Sequence, residues 1–235
     1  VVARAARCRK PVVLCLLGSG QMKLPKNVRL ARTLEEAAGS AGGEVFSQVS
    51  FENQKQEKNI KQRHGAIRGL FCGGTLCAEA QIVLMDHGLK VSSNVPVPGA
   101  RASGAPNVLI DLGDDEFTRG RPHPMIDPAL RNEHLTRALQ EKRVGVILLD
   151  VVIGYGAHRD PAGLIAEVLG KSKGRKPALI ASVTGTESDP QIYSRQVKTL
   201  RAAGVTVAVS NAQAARLAAL GAGGCSPVLK KVRKN

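Results

Sequence analysis

A doubly wound α/β fold, with a parallel, flavodoxin-like sheet, is the architecture this sequence predicts over residues 66–222. Three observations predict it. Apolar runs without polar alternation recur, each is followed by a glycine- or hydroxyl-bearing turn, and most of these turns open a helix-like stretch that a glycine closes. Strands that are apolar on both sides are buried on both faces, as in a parallel sheet covered by helices. In such sheets ligands gather at the carboxyl edge.

Taken in order, Ile67-Arg-Gly-Leu-Phe-Cys72 is the first apolar run, and Gly73-Gly74-Thr75 turns it into a helix over Leu76–His87, stopped by Gly88. Asn107-Val-Leu-Ile110 is a short second strand. Val144–Ile153 is the longest run; Gly154-Tyr-Gly-Ala-His-Arg159 leads from it to a helix from Asp160-Pro161 to Leu169, stopped by Gly170. Ala178–Val183 leads through Thr184-Gly-Thr-Glu-Ser188 to a helix from Asp189-Pro190 to Ala203, stopped by Gly204. Val205–Val209, then Ser210-Asn211 and a helix to Leu220, complete the segment. Asp-Pro at two helix starts supplies a capping carboxylate and then a proline at the first helical position, while a following glycine suits a C-terminus. The result is a sheet of about five strands.

Residues 1–66 differ. Lys10–Gly18 reads as a strand and Thr33–Ala38 as a short helix, too little to bury a core, so residues 1–40 read as the end of a preceding α/β domain. Residues 41–65, rich in Gln, Asn and Lys, read as a mobile linker, and residues 223–235 as a basic tail.

The formal charge of +15 resembles a nucleic-acid signature until it is divided. Residues 1–66 hold 12 Lys/Arg against 5 Asp/Glu (+7), residues 67–170 hold 10 against 12 (−2), and residues 171–235 hold 12 against 2 (+10). The excess lies outside the motif-bearing middle, without the aromatic interleaving of a nucleic-acid reader, so no specific nucleic acid is expected as a partner. No apolar run approaches the roughly 18 residues of a membrane span, and none is expected to enter a membrane. The odd set Cys8, Cys15, Cys72, Cys77 and Cys225 lacks metal spacing and reads as reduced thiols, which favours a cytoplasmic location.

The densest chemistry follows the second strand. The segment from Asp111 to Pro128 holds five acids, Arg119, Arg121 and His123, stiffened by Pro122, Pro124 and Pro128. The planar forks of Arg119 and Arg121 suit a carboxylate or phosphate; alternatively they pair with Asp114, Asp115 or Glu116 nearby. His123 and His158 are each a candidate acid/base or phosphoryl acceptor, against the plain reading of a polar surface residue. Asp111, Asp114 and Asp115 could help hold Mg2+, though their spacing does not demand it, and no metal is assigned. Gly73-Gly74-Thr75 can present N–H groups and a hydroxyl to a phosphate at a helix start, or be a tight turn in which Thr75 caps the helix; Gly185 and Thr186 offer the same pair of readings.

Three runs carry a resemblance: Gly69-Leu-Phe-Cys-Gly-Gly-Thr-Leu-Cys-Ala-Glu-Ala80, Ile110–Pro128 and Leu149-Asp-Val-Val-Ile-Gly-Tyr-Gly-Ala157. With Thr184–Pro190 and Ser210-Asn211-Ala212, they closely resemble the FdrA family of the succinyl-CoA ligase (NDP-forming acyl-CoA synthetase) superfamily. The resemblance implies that residues 66–222 are a flavodoxin-like CoA-ligase domain and that residues 1–40 end a ligase-like domain before it. It implies acyl or carbamoyl transfer with phosphate or CoA as ligand, in a complex with other FdrA-type subunits, as in oxamate carbamoyltransferase of allantoin catabolism. It adds Asn211 to the substrate-binding candidates Gly73, Gly74, Thr75, Gly185 and Thr186. The superfamily's Gly-His-Ala-Gly-Ala phosphohistidine motif is absent, so the resemblance does not by itself assign the phosphoryl role to His123 or His158. The family's Rossmann-like CoA-binding region and an ATP-grasp domain are not expected within these residues. The rival expectation is a truncated, non-catalytic binding or assembly module with the same fold.

Overall fold

The computed structural model describes residues 1–20, 22–42, 57, 60, 62–174 and 176–224. Its main sheet is built from β3 (Ala66–Phe71), β4 (Val91–Ser93), β5 (Asn107–Asp111), β6 (Val144–Val152), β7 (Ala178–Thr184) and β8 (Thr206–Ala208). These six strands are all parallel, in the order β4-β5-β3-β6-β7-β8. From β3 the chain moves outward to β4 and β5, then crosses back to β6 and on to β8. The order therefore reverses between β3 and β6, and a crevice at their carboxyl ends is the consequence.

The strands read as apolar on both sides because both faces are covered. Helices α3 (Gly74–Asp86) and α8 (Asn211–Gly221) lie on one face, where Phe71, Leu109, Leu148 and Ile180 meet Ala80, Leu84, Ala215 and Leu217. Helices α5 (Ala129–Gln140), α6 (Pro161–Lys171) and α7 (Tyr193–Ala202) cover the other, where Leu70, Ile147 and Leu149 meet Leu135, Ile165 and Leu200. The central strand β6 is buried along all but its last residue. A one-turn helix, α4 (Asp115–Thr118), interrupts the polar segment after β5.

Before the sheet come α1 (Val2–Ala5), a parallel pair β1 (Val12–Cys15) and β2 (Val28–Ala31), and α2 (Leu34–Gly42). This unit is held to the main domain by Glu79 of α3, whose carboxylate accepts the Leu34 N–H at 2.6 Å and the Asn211 amide at 2.7 Å. Arg216 of α8 adds an ion pair to Glu35 at 2.7 Å.

Several expectations change. The first segment holds two strands rather than one, because the short run Val28–Ala31 carries Arg29 and escapes a hydropathy reading. The helix expected over Thr33–Ala38 is α2, which continues through Gly39 to Gly42, into the stretch read as linker. The rest of that linker lies largely outside the described residues, as does nearly all of the basic tail. The sheet gains a sixth strand in β4, only three residues long. Asp160 caps its helix as expected, accepting from the Gly163 N–H, but Asp189 does not. Helix α7 starts only at Tyr193, after Ile192 with φ of 60°, and Asp189 instead binds the N–H and hydroxyl of Thr186. Among the described residues no helix is long and apolar enough to cross a membrane.

Candidate functional site

At the reversal between β3 and β6, the Cys72-Gly73-Gly74 turn carries the chain from β3 into α3. Its geometry is set from below. Asp150, fully buried near the end of β6, accepts the main-chain N–H of Cys72 on Oδ1 at 2.8 Å and that of Gly73 on Oδ2 at 2.9 Å. With those donors satisfied, the first intrahelical bond of α3 runs from Cys77 to Gly73, and no side chain caps the helix. The N–H groups of Gly74, Thr75 and Leu76 therefore have no acceptor among the described residues. They sit at the positive end of a thirteen-residue helix, beside the crevice.

Burial pushes the Asp150 carboxyl up to about 6, while the Cys72 and Gly73 N–H groups and the nearby Arg131 favour its ionised form and Asp111 opposes it. Arg131 of α5 is buried, donates to the Pro161 carbonyl at 3.4 Å, and leaves Nε without a partner. The site thus rests on a buried carboxylate with a guanidinium as counter-charge. Burial pushes the Cys72 thiol beside them up to about 12, so it is not a nucleophile at neutral pH.

Asp111 closes β5, and its Oδ1 accepts the Gly113 N–H at 3.0 Å. Its Oδ2 lies 2.7 Å from where a Cβ on Gly74 would stand, so a side chain there would strike the carboxylate. Desolvation raises the Asp111 pKa and Asp114 adds to it, while His123 opposes both. Gly113 is pinched likewise: a Cβ on it would stand 2.6 Å from His123 Nε2 and 2.7 Å from the Cys72 carbonyl oxygen. His123 Nδ1 accepts the Met125 N–H at 3.2 Å. In the neutral ring the proton then resides on Nε2, on the side of Gly113 and Asp111.

The candidates therefore divide. Gly73, Gly74, Thr75 and His123 gather at the reversal. Arg119 and Arg121 are exposed on the same edge, and among the described residues neither makes the alternative ion pair with Asp114, Asp115 or Glu116. Asp114 caps α4 through the Glu116 N–H instead, and Asp115 is exposed. Thr75 does not cap α3; Gly73 holds that position. Gly185 and Thr186 do not stand at a helix start, because α7 begins later, and Asp189 occupies the Thr186 donors. Asn211 is spent between the helices, donating to the Leu76 carbonyl at 2.9 Å and to Glu79, although its Oδ1 is buried without a donor. His158 braces the loop: its N–H donates to the Met125 carbonyl at 2.7 Å and its Nδ1 accepts the Asp160 N–H at 3.1 Å. Among the described residues no group of three or more His, Cys, Asp or Glu stands together as a metal site.

Sequence reasoning missed Asp150 and Arg131. Asp150 had a legible mark, as the one charged residue inside the nine-residue apolar run of β6. Arg131 had none, since it begins a helix rich in polar residues.

Residues 70–220, from β3 through α8, match the family model described as CoA-ligase. The chain belongs to the CoA-ligase family. Its acyl-CoA synthetase superfamily carries this domain, and the six-stranded sheet with helices on both faces is the flavodoxin-type fold expected of it. The chain is also similar to "Uncharacterized protein YahF" of Escherichia coli (strain K12), at 36% identity over 241 residues, covering 93% of this chain and 46% of that protein. The chain thus spans about half the length of that curated relative. The crevice described above lies within the matched residues.

Proposed function

We propose that this CoA-ligase domain binds the anionic end of an activated acyl or carbamoyl group, acyl phosphate, carbamoyl phosphate or a CoA-linked form, as part of an FdrA-type acyl-CoA synthetase complex. The observation that carries this reading is the start of α3, where three N–H groups without acceptors meet the crevice at the strand reversal. The residues present suit a phosphate: Gly73 and Gly74 have no side chains to obstruct it, and Thr75 adds a hydroxyl. CoA, when bound, would supply the thiol that carries the acyl group.

In this reading the chain's own residues do the following. Gly74, Thr75 and Leu76 hold anionic oxygens through their N–H groups. Arg119 and Arg121, free of acidic partners among the described residues, neutralise charge that grows in the transition state. His123, with its proton on the crevice side, moves a proton or orients a carbonyl. Acyl or carbamoyl transfer with further FdrA-type subunits as partners, of the oxamate carbamoyltransferase kind, is supported by the motif resemblance through Ile110–Pro128.

Thr75→Glu tests the carrying observation. A carboxylate in the first turn favours the helix and repels an anion at the same place. Calorimetry with inorganic phosphate and carbamoyl phosphate should show at least about a tenfold loss of affinity, with the melting midpoint unchanged or raised. Equal affinity in an intact Thr75→Glu protein refutes the reading. Arg121→Lys should also weaken carbamoyl phosphate despite the conserved charge, because an ammonium cannot reproduce the two-point fork.

A further inference from the structure

One acceptor stands among the donors at the start of α3. Asp111, only 6% exposed, ends β5 beside Phe71 of β3, the residue before the Cys72-Gly73-Gly74 turn. Its main chain is held on both sides by Asn94, the residue that follows β4. Asn94 Oδ1 accepts the Asp111 N–H at 2.9 Å, and Asn94 Nδ2 donates to the Asp111 carbonyl at 3.0 Å. Within the carboxylate, Oδ1 is taken by the Gly113 N–H at 3.0 Å. Oδ2 accepts nothing among the described residues, although it stands 2.7 Å from where a Cβ on Gly74 would be.

The contrast with Asp150 is instructive. Both oxygens of Asp150 are occupied by the turn's N–H groups, so that carboxylate is complete as a structural brace. Asp111 is complete on one side only. A buried carboxylate oxygen without a donor is costly, and here a fixed main chain holds it against the first residue of a helix whose own N–H groups lack acceptors. The N–H groups of Gly74, Thr75 and Leu76 and the Thr75 hydroxyl can give hydrogen bonds at this place, and Oδ2 can receive one. A site for a bare anion has no use for such an oxygen, which repels any ligand that brings no hydrogen.

We propose that Asp111 is the specificity-determining residue at the start of α3, and that it selects a ligand carrying its own O–H or N–H donor beside its anionic oxygens. This rests on the reading of α3 as an anion site, and narrows its ligand class from any acyl phosphate to one that bears a donor. Ionised, the carboxylate accepts and cannot donate. Hydrogen phosphate, or a carbamoyl group with its N–H2, gives Oδ2 a partner. Sulfate, or an acetyl group of nearly the same shape, leaves it unpaired. A buried polar group placed to meet a ligand hydrogen rejects the analogue that lacks it far more strongly than a cavity rejects a misfit of shape.

The test is calorimetry on the full chain at neutral pH with two pairs of near-isosteric probes: inorganic phosphate against sulfate, and carbamoyl phosphate against acetyl phosphate. The wild-type protein should bind the donor-bearing member of at least one pair about tenfold or more tightly. Preference in the first pair assigns a phosphate O–H to Asp111, and preference in the second assigns the carbamoyl N–H. Asp111→Asn keeps an oxygen for the Gly113 N–H and turns an amide N–H2 to the site, so the preference should vanish or reverse while the melting midpoint shows an intact fold. Asp111→Ala, which removes the acceptor outright, should abolish the preference too and serves if the asparagine variant does not fold. The inference is overturned if the wild-type protein binds both members of both pairs alike, or if its preference survives in these variants. Equal binding of both members that Thr75→Glu still weakens overturns the role of Asp111 and leaves the reading of α3 standing. A wild-type protein that binds none of the four probes overturns both.

Discussion

The carboxylate of Asp150 accepts the main-chain N–H of Gly73 at 2.9 Å, reaching from the end of β6 to the turn that starts α3. Its other oxygen takes the Cys72 N–H, so one buried side chain fixes the strand-to-helix turn at the strand reversal. Residues 78 positions apart are joined there, and the helix start inherits its orientation from a neighbouring strand.

Replacing Asp150 by Asn should test this bond. An amide offers one acceptor and one donor, so one of the two N–H groups would face a donor and go unsatisfied. A loss of about 1–3 kcal/mol is expected from thermal or urea unfolding, with weaker phosphate binding at α3. Wild-type stability within experimental error would remove Asp150 from its positioning role.

The same variant should change the pH dependence. Asp150 is raised from 3.8 to about 6 in the fold, so the folded state holds this proton more tightly than the unfolded chain. Its stabilising contribution is present below pH 3.8 and is lost as pH rises through about 6. The loss is at most about 3 kcal/mol. Asp111 and Glu79, also raised, add slopes of the same sign that both proteins share. Melting midpoints followed from acid to neutral pH should show Asp150→Asn falling less steeply than wild type; parallel curves contradict the prediction.

Gly113→Ala should destabilise by about 1–3 kcal/mol, because the new methyl would meet His123 Nε2 at 2.6 Å and the Cys72 carbonyl at 2.7 Å. The ring can swing away but the carbonyl is main chain. A protein as stable as wild type, with His123 titrating unchanged by NMR, would show that this pinch is not real.

Glu79→Ala should loosen the N-terminal unit more than the sheet, since it deletes the acceptor of both the Leu34 N–H and the Asn211 amide. Hydrogen exchange at Leu34 should accelerate while exchange in β6 stays slow. Equal acceleration in both would mean that the two parts open as one unit.

Native alkylation should separate the cysteines. Cys8 is exposed, whereas burial pushes the thiols of Cys72 and Cys77 up to about 12. Mass spectrometry after brief iodoacetamide treatment should find Cys8 modified, and Cys72 and Cys77 modified only after unfolding. Rapid native labelling of Cys72 would expose a reactive thiol at the strand reversal.

The main sheet was legible because a strand covered on both faces must be apolar on both, a constraint written along Val144–Ile153 and its relatives. Where tertiary contact replaced local pattern, the reading failed. Strand β4 is three residues long and gains its place from Asn107 and its neighbours on β5. Asp189-Pro190 has the composition of a helix start, yet the carboxylate is drawn to Thr186 and the helix waits until Tyr193. Around the site, glycines 73 and 74 and His123 stood out as residues that matter wherever they land. The partners that define them, Asp150 from β6 and the buried Arg131 from α5, carried no local signature tying them to that turn.

The sequence by itself therefore determined the alternation of apolar runs and helices, the parallel sheet, and the edge on which its polar turns collect, because each depends on periodicity and turn chemistry within a few residues. Only the tertiary structure decided which N–H groups are spent and which remain free, that Thr186 is occupied by Asp189, and that Arg119, Arg121, Arg159 and Arg195 have no acidic partner among the described residues. Hydrogen bonds and charges are satisfied by whatever group the fold brings within about 3 Å, and sequence distance does not constrain that choice.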